Sequence, residues 1–123
     1  MDKNKAKQII LNNHNADKNS FMYFLHEKNY FSDKLFWEYY DSIVALVMTD
    51  KDKTPELTKQ ITGNYQRILK YFVFHFDPDD SYVLKDFPIK YVEYMERLEY
   101  ALMAYYSGNI KLISEEIFEL QRE

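Results

Sequence analysis

Apolar residues recur in steps of three and four through residues 55–76, which is the period of an amphipathic α-helix. The pattern begins at Thr54-Pro55, a threonine N-cap followed by proline at the first helical position, where its missing N–H is not needed. It ends before Pro78, because a residue that precedes proline is pushed away from the helical region. The pattern therefore predicts a helix over 55–76 at the centre of the fold. Its apolar positions are Leu57, Ile61, Tyr65, Ile68, Leu69, Phe72, Val73 and Phe76.

The same period predicts further helices on both sides of this one. Residues 33–48 carry one apolar face and follow a candidate N-cap, Ser32. Another helix should begin at Pro88 and stop before Gly108, since glycine is the usual residue just past a helix end. The remaining predicted segments are a final helix capped by Asn109 and running through Leu120, and two weaker helices at about 3–12 and 17–28.

No stretch of four or more residues alternates strongly enough to predict a β-strand, although residues 71–74 and 81–84 come nearest. Only two glycines and three prolines interrupt the chain, which favours long helices. We therefore expect an all-α fold, a single-domain bundle of five or six helices over residues 1–123. Within it, residues 1–30 should form the weaker N-terminal helices and residues 32–122 the main bundle.

Composition excludes several classes of protein. A chain of 123 residues with 46% hydrophobic and 29% charged residues fits one globular domain and not a disordered segment. Cysteine is absent, which excludes disulfides, thiol nucleophiles and cysteine-ligated zinc. The longest apolar run, at 43–48, is far shorter than the roughly 20 residues of a membrane span, and no secretory signal is evident. We therefore expect a cytoplasmic protein with no membrane partner.

Charge is distributed unevenly along the chain. The formal net charge is −4; residues 1–62 carry nine basic and nine acidic side chains, and residues 63–123 carry seven and eleven. The acidic residues cluster at 77–86, at 93–99 and at 115–123. The ordinary explanation of such clusters is a face of the protein that is simply exposed to solvent. Basic patches that would bind nucleic acid are lacking, so nucleic acid is not an expected partner.

The segment from His75 to Tyr82 contains one imidazole and three carboxylates, a set that could bind a divalent cation. Measured against a calcium-binding loop that starts at Asp77, it has Tyr82 in place of the required glycine and Pro88 in place of the final glutamate. The Glu-x-x-His and His-x-x-x-His spacings of metal-binding helices are also missing. We therefore expect a helix end at this point, no metal or other cofactor, and no enzymatic activity.

Aromatic residues are unusually frequent, with 12 tyrosines, 9 phenylalanines and one tryptophan. Neighbouring residues of a helix point about 100° apart, so one ring of Tyr39-Tyr40 and one of Tyr105-Tyr106 should lie near the surface. Trp37 is expected to be exposed for the same reason. Exposed aromatic rings are favoured at protein interfaces, whereas an aromatic-rich core is the alternative explanation.

Residues 69–80 read Leu-Lys-Tyr-Phe-Val-Phe-His-Phe-Asp-Pro-Asp-Asp and are followed by an acidic, tyrosine-rich stretch at 91–100. With its small size, acidity, helical character and absence of cysteine, the chain resembles small bacterial toxin immunity proteins. The resemblance lies in this general character and carries no site residues with it. It implies an inhibitor that binds a toxin, for example a nuclease.

We therefore predict a protein-binding inhibitor that masks a partner with a basic surface, because an acidic and tyrosine-rich surface is complementary to it. A phage-encoded inhibitor of a host nuclease would have the same character. The alternative is a structural or regulatory helical domain, including a phage-encoded regulator, that self-associates through exposed aromatic rings, for example as a homodimer. The predicted partner-binding residues are Asp79, Asp80, Tyr82, Glu93, Tyr94 and Glu96.

Overall fold

The computed structural model describes residues 1–122 and confirms the predicted all-α bundle. Within those residues there is no β-sheet, and a single bridge between Tyr30 and Lys85 is the one strand-like pairing. Two 3₁₀ turns follow the last α-helix. A π-helical turn (Phe24–Lys28) extends the second α-helix. The α-helices are α1 (Lys3–His14), α2 (Phe21–Tyr23), α3 (Asp33–Val44), α4 (Pro55–Phe76) and α5 (Tyr91–Ser107).

The predicted start of α3, both ends of α4 and the end of α5 are confirmed. The Ser32 hydroxyl accepts a hydrogen bond from the third backbone N–H of α3 at 3.2 Å. The Thr54 hydroxyl does the same for α4 at 3.1 Å, and the helix ends where Asp77 becomes extended. After α5, Gly108 has a φ of +73°, a left-handed conformation in which a residue with a Cβ would be strained.

One hydrophobic core runs through the bundle, from Ala6 on α1 to Leu120 in the tail. Helix α1 packs against α3 and α4, whereas α5 packs mainly against α3 and contacts α4 over a shorter stretch. Arg67 of α4 donates hydrogen bonds to the carbonyls of Asn13 at 2.7 Å and His14 at 2.8 Å. These are carbonyls at the end of α1 that have no partner within the helix, so α4 caps α1.

Two helix boundaries of the main bundle differ from those that the sequence predicts, and the weaker helix predicted at about 17–28 begins only at Phe21 and is π-helical from Phe24. Helix α5 begins at Tyr91 and not at Pro88. The reason is that the Phe87 ring packs between Phe76 and Tyr91, at 5.5 Å and 5.4 Å, and residues 88–90 form a turn around it. Helix α3 ends at Val44, and residues 45–48 form a turn.

The predicted final helix from Asn109 through Leu120 is wrong. Asn109 does cap a turn, but only the 3₁₀ segments Ile110–Ile113 and Glu115–Ile117 follow, and the chain is extended at Ser114 between them. An isolated helix of this length is marginal in water, so tertiary contacts decide its conformation. Here the extended tail brings the Leu120 carbonyl onto a buried arginine of α5.

That arginine, Arg97, is fully buried and fastens the tail to the bundle. Its guanidinium donates to the Leu120 carbonyl at 3.2 Å and 2.5 Å, to the Tyr40 hydroxyl at 3.2 Å, and to both carboxylate oxygens of Glu115 at 2.6 Å and 3.3 Å. Burial alone would lower the pKa of Arg97, but the hydrogen bonds to Glu115 and Tyr40 outweigh it and raise that pKa above its usual value. The buried group therefore keeps its charge.

The predicted exposure of aromatic residues is wrong in α3 and right in α5. Trp37, Tyr39 and Tyr40 are all buried, because α3 packs against α1 on one side and α5 on another. In α5, Tyr105 is buried and the adjacent Tyr106 is exposed. Exposed aromatic rings therefore belong to the second half of the chain.

Candidate functional site

The loop after α4 carries three of the predicted site residues. The Asp77 carboxylate accepts a hydrogen bond from the Asp79 N–H, and the Asp80 carboxylate accepts one from the Tyr82 N–H, both at 2.9 Å. These short turns leave the side chains of Asp79 and Asp80 exposed. Both residues are therefore accessible to a partner.

Tyr82, in contrast, is attached to the body of the protein. Its hydroxyl donates to the Leu25 carbonyl at 2.5 Å, and its ring centroid lies 5.6 Å from that of Tyr71 on α4. Burial raises the pKa of Tyr82, and Tyr71 acts in the same direction. Tyr82 therefore holds the acidic loop against the π-helical turn.

The three predicted site residues on α5 point in different directions. The Tyr94 hydroxyl donates to the Asp33 carboxylate at 2.5 Å and its ring lies 4.8 Å from that of Phe36, so this side chain faces α3. Glu96 lies two residues further on, about 200° around the helix, and is exposed. Glu93 is half-buried. The six predicted residues therefore do not form one patch: Asp79, Asp80 and Glu96 face solvent, whereas Tyr82 and Tyr94 pack inward.

His75, which the sequence placed in a possible cation site, has a structural contact. Its Nδ1 accepts a hydrogen bond from the Leu84 N–H at 2.9 Å, and its ring lies 4.3 Å from that of Phe87. Among residues 1–122, no three histidine, aspartate or glutamate side chains are grouped closely enough to hold a metal ion. His75 therefore anchors the loop to the end of α4.

An apolar groove of about 610 Å³ lies between α4 and α5. At one end the rings of Phe76 and Tyr91 meet at 4.9 Å. About two helical turns beyond Leu69, the hydroxyls of Thr62 and Tyr106 are hydrogen-bonded to each other. Between these two contacts the antiparallel helices leave the groove open to solvent. Its lining consists of Leu69, Phe72, Val73, Phe76, Asp77, Tyr91 and Met95.

Sequence reasoning placed Val73 and Phe76 on the buried face of α4, and the structure corrects this. Val73 is 64% exposed and Phe76 is 53% exposed. The sequence does contain a signal for this, since the apolar run at 71–74 wraps around too much of a helix to face one core. A helix with an apolar stripe wider than its contact area leaves part of the stripe uncovered.

Carboxylates lie along the rim of the groove. Asp77 stands at one end, and Glu99 of α5 lies close to Tyr65 of α4, whose pKa is raised by burial first and by the charge of Glu99 second. Glu96 is exposed on the outer side of α5, about 100° around the helix from the lining residue Met95. Within residues 1–122 none of these three carboxylates forms an ion pair. Lys70 of α4 lies about one turn before Val73, and within the same residues it forms no ion pair.

A second cavity, of about 460 Å³, lies between the start of α3, the turn before α5 and the tail. It mixes charges of both signs, with Asp33 and Asp86 beside Lys90 and Arg122. The guanidinium of Arg122 is already paired with the Asp41 carboxylate, at 2.7 Å and 2.9 Å. This cavity therefore favours no particular charge on a ligand.

No family model, curated protein or solved structure is significantly similar to this chain. Over residues 1–122, the helices all lack the combination of length and apolar character that crossing a membrane requires. The α4–α5 groove and the acidic residues beside it are therefore the features of the molecule that point to a function.

Proposed function

We propose that this chain is a protein-binding inhibitor that masks a partner with a basic surface, such as a nuclease toxin. The observation that carries the proposal is an apolar groove whose rim carboxylates, Asp77 and Glu99, have no ion-pair partner within residues 1–122, beside a third such carboxylate, Glu96, on the outer side of α5. A partner could pair lysine or arginine with these carboxylates and cover the exposed apolar lining of the groove with its own apolar side chains.

The arginines of the second half support this proposal, because all three serve the fold itself. Arg67 binds carbonyls of α1, Arg97 binds Glu115 and the tail, and Arg122 binds Asp41. These cations are therefore not free to offset the acidic loop and the outer side of α5.

Self-association is the alternative function, and the charge of the groove disfavours it there. In a symmetric dimer the same patch serves both subunits, so Asp77, Glu96 and Glu99 would approach their own copies. Like charges brought together at an interface are repulsive. Because the same surface attracts a basic partner, we favour binding of a basic partner over self-association.

The proposal is tested by the kinetics of the captured partner. The tagged chain is used to isolate its partner from cells that carry the gene, and the purified pair is studied by stopped-flow mixing. Raising the salt concentration from about 0.05 M to about 0.5 M shortens the screening length roughly threefold. Association should slow strongly while dissociation changes less, because long-range attraction steers the encounter. An acidic partner, or association that salt does not affect, would contradict the proposal.

A charge variant tests the predicted residues in the same assay. Converting Asp79, Asp80, Glu93 and Glu96 together to their amides should slow association as high salt does, without unfolding the bundle. The matched control removes four exposed acidic charges from the first half of the chain, and it should have a much smaller effect. Equal slowing by both variants would show that net charge matters and that the location of the charge does not. The control residues are Asp17, Glu27, Asp50 and Glu56.

A further inference from the structure

We propose that the α4–α5 groove binds an amphipathic helix of the partner, which inserts three apolar side chains and places lysine or arginine on its flanks. This inference rests on the proposed function and specifies the form of the bound segment. Its basis is the length of the groove, the absence of backbone hydrogen-bonding groups in its walls and the carboxylates of its rim.

The length of the groove matches a short helical stripe. From Leu69 to Phe76 along α4 the axial rise is about 10 Å, at 1.5 Å per residue. Apolar residues at positions i, i+4 and i+7 of a bound helix cover the same distance. The Phe76–Tyr91 contact closes one end of the groove. Beyond Leu69 and Met95, the lining residues furthest from that contact, the charged Glu99 follows on α5, so a longer apolar stripe would extend past the apolar lining. Three anchor side chains therefore fill the groove.

The chemistry of the walls favours a helix over an extended peptide. Apart from Asp77, the lining side chains present carbon atoms and aromatic rings, and the backbone groups behind them are bonded within α4 and α5. An extended peptide would bury N–H and C=O groups there without partners, which is costly. A helix satisfies its own backbone hydrogen bonds and presents only side chains. The groove therefore favours a helix, whose backbone N–H and C=O groups are already hydrogen-bonded to each other.

The charge of the rim determines the flanks of the bound helix. Asp77 lies at one end of the groove, and Glu99 follows Met95 by one turn on its α5 side. Lysine or arginine beside the apolar stripe can reach these carboxylates, whereas acidic residues would be repelled. A second copy of this chain is a poor occupant, because α5 itself carries Glu93, Glu96 and Glu99. The occupant is therefore a basic helix from a different protein.

A display library of helical peptides tests the inference on the full chain. The peptides have about 15 residues, enough to form a helix, with apolar residues fixed at i, i+4 and i+7 and all other positions random. We expect selection to enrich lysine and arginine next to the apolar stripe. We also expect the selected peptides to bind V73E at least tenfold more weakly than the unmodified chain. Met95→Glu, on the opposite wall, should give the same loss.

The matched control is Ile117→Glu, which places the same charge at an apolar residue that is 51% exposed and lies in the tail, outside the groove. It should leave the affinity within about twofold, and circular dichroism should show that all three variants remain folded. Enrichment of acidic flanks, absence of any enrichment, or equal binding to V73E and the unmodified chain would overturn the inference. So would a dimer of the chain that V73E dissociates.

The two proposals fail in different ways. If no peptide is selected while the captured partner still associates in a salt-dependent manner, the helix in the groove is wrong and the masking function stands. If basic peptides bind the groove while the captured partner associates independently of salt, the groove is correct and masking of a basic surface is wrong.

Discussion

The guanidinium of Arg97 is enclosed by aromatic rings as well as by hydrogen-bond acceptors. Its central carbon lies 4.1 Å from the ring centroid of Phe118, 5.1 Å from that of Trp37 and 5.4 Å from that of Tyr40. Arg122 lies over Trp37 as well, at 4.4 Å. The two arginine side chains cover the indole ring of Trp37. They contribute to its burial, although its position in the sequence predicted exposure.

Replacing Arg97 by methionine should destabilise the protein by about 2–4 kcal/mol, because the Leu120 carbonyl and the Tyr40 hydroxyl would lose buried partners. The measurement is urea unfolding followed by circular dichroism. The same replacement at Arg122, whose ion pair with Asp41 is on the surface, should cost less than about 1 kcal/mol. Equal losses for the two variants would show that the tail does not depend on Arg97.

At the scale of one helix, the neighbouring residues Phe72 and Val73 of α4 lie on different sides: Phe72 is buried and Val73 is exposed to solvent. Phe72→Ala should cost about 3–5 kcal/mol, since Phe72 is buried in the core and leaves a cavity. Val73→Ala should change the free energy of unfolding by less than about 0.5 kcal/mol, because Val73 is mostly exposed. Chemical unfolding of both variants measures the difference. A similar cost at both positions would mean that the groove is closed in solution.

The loop between α4 and α5 makes a prediction about metal ions. The Asp77 and Asp80 carboxylates accept backbone N–H groups, and a calcium loop would need a glycine where Tyr82 stands. Millimolar calcium or zinc should therefore leave the melting temperature unchanged in differential scanning fluorimetry. A rise of several degrees that Asp79→Asn combined with Asp80→Asn abolishes would show that the loop binds the ion.

How far the sequence predicts each element depends on whether local signals decide it. Helix α4 was predictable to the residue, because Thr54 caps it, Pro55 starts it and Pro78 prevents its continuation. The tail was not, because its conformation depends on Arg97, a residue that looks like an ordinary charged position on α5. Local capping signals are visible in sequence, whereas a buried arginine that binds a later segment of the chain is not.

In the candidate site, too, local sequence signals predict some features, whereas contacts with distant residues decide others. Exposure of Asp79 and Asp80 follows from the polar turn around Pro78, which the sequence displays. The inward packing of Tyr82 and Tyr94 depends on Leu25 and on Asp33, which come from distant parts of the chain. The groove was missed because apolar periodicity identifies a helix face without showing what covers it.

At the scale of the whole molecule, the buried tyrosines predict alkaline unfolding. Burial is the largest cause that raises the pKa of six of them above the ordinary value of about 10. Above that pH the unfolded chain releases protons that the folded protein keeps, so stability falls as pH rises and is retained in full below it. The six residues are Tyr39, Tyr40, Tyr65, Tyr71, Tyr82 and Tyr105.

An alkaline titration checks this prediction through two signals. Tyrosinate absorbance should rise cooperatively above pH 10 or so, together with the loss of helical circular dichroism. Returning to neutral pH should restore both signals. Complete ionisation of the tyrosines with the helical signal intact would show that their hydroxyls are not held by the fold.

The central claim is that the α4–α5 groove is the surface that meets the partner, and hydroxyl-radical footprinting tests it most directly. The full chain is oxidised alone and in complex with its captured partner, and the rate is followed at each side chain by mass spectrometry. Phe76 and Met95, which line the groove, should be oxidised more slowly in the complex. Met48, which is exposed and outside the groove, should react at an unchanged rate. Protection confined to residues 1–30, with Phe76 and Met95 unaffected, would contradict the account.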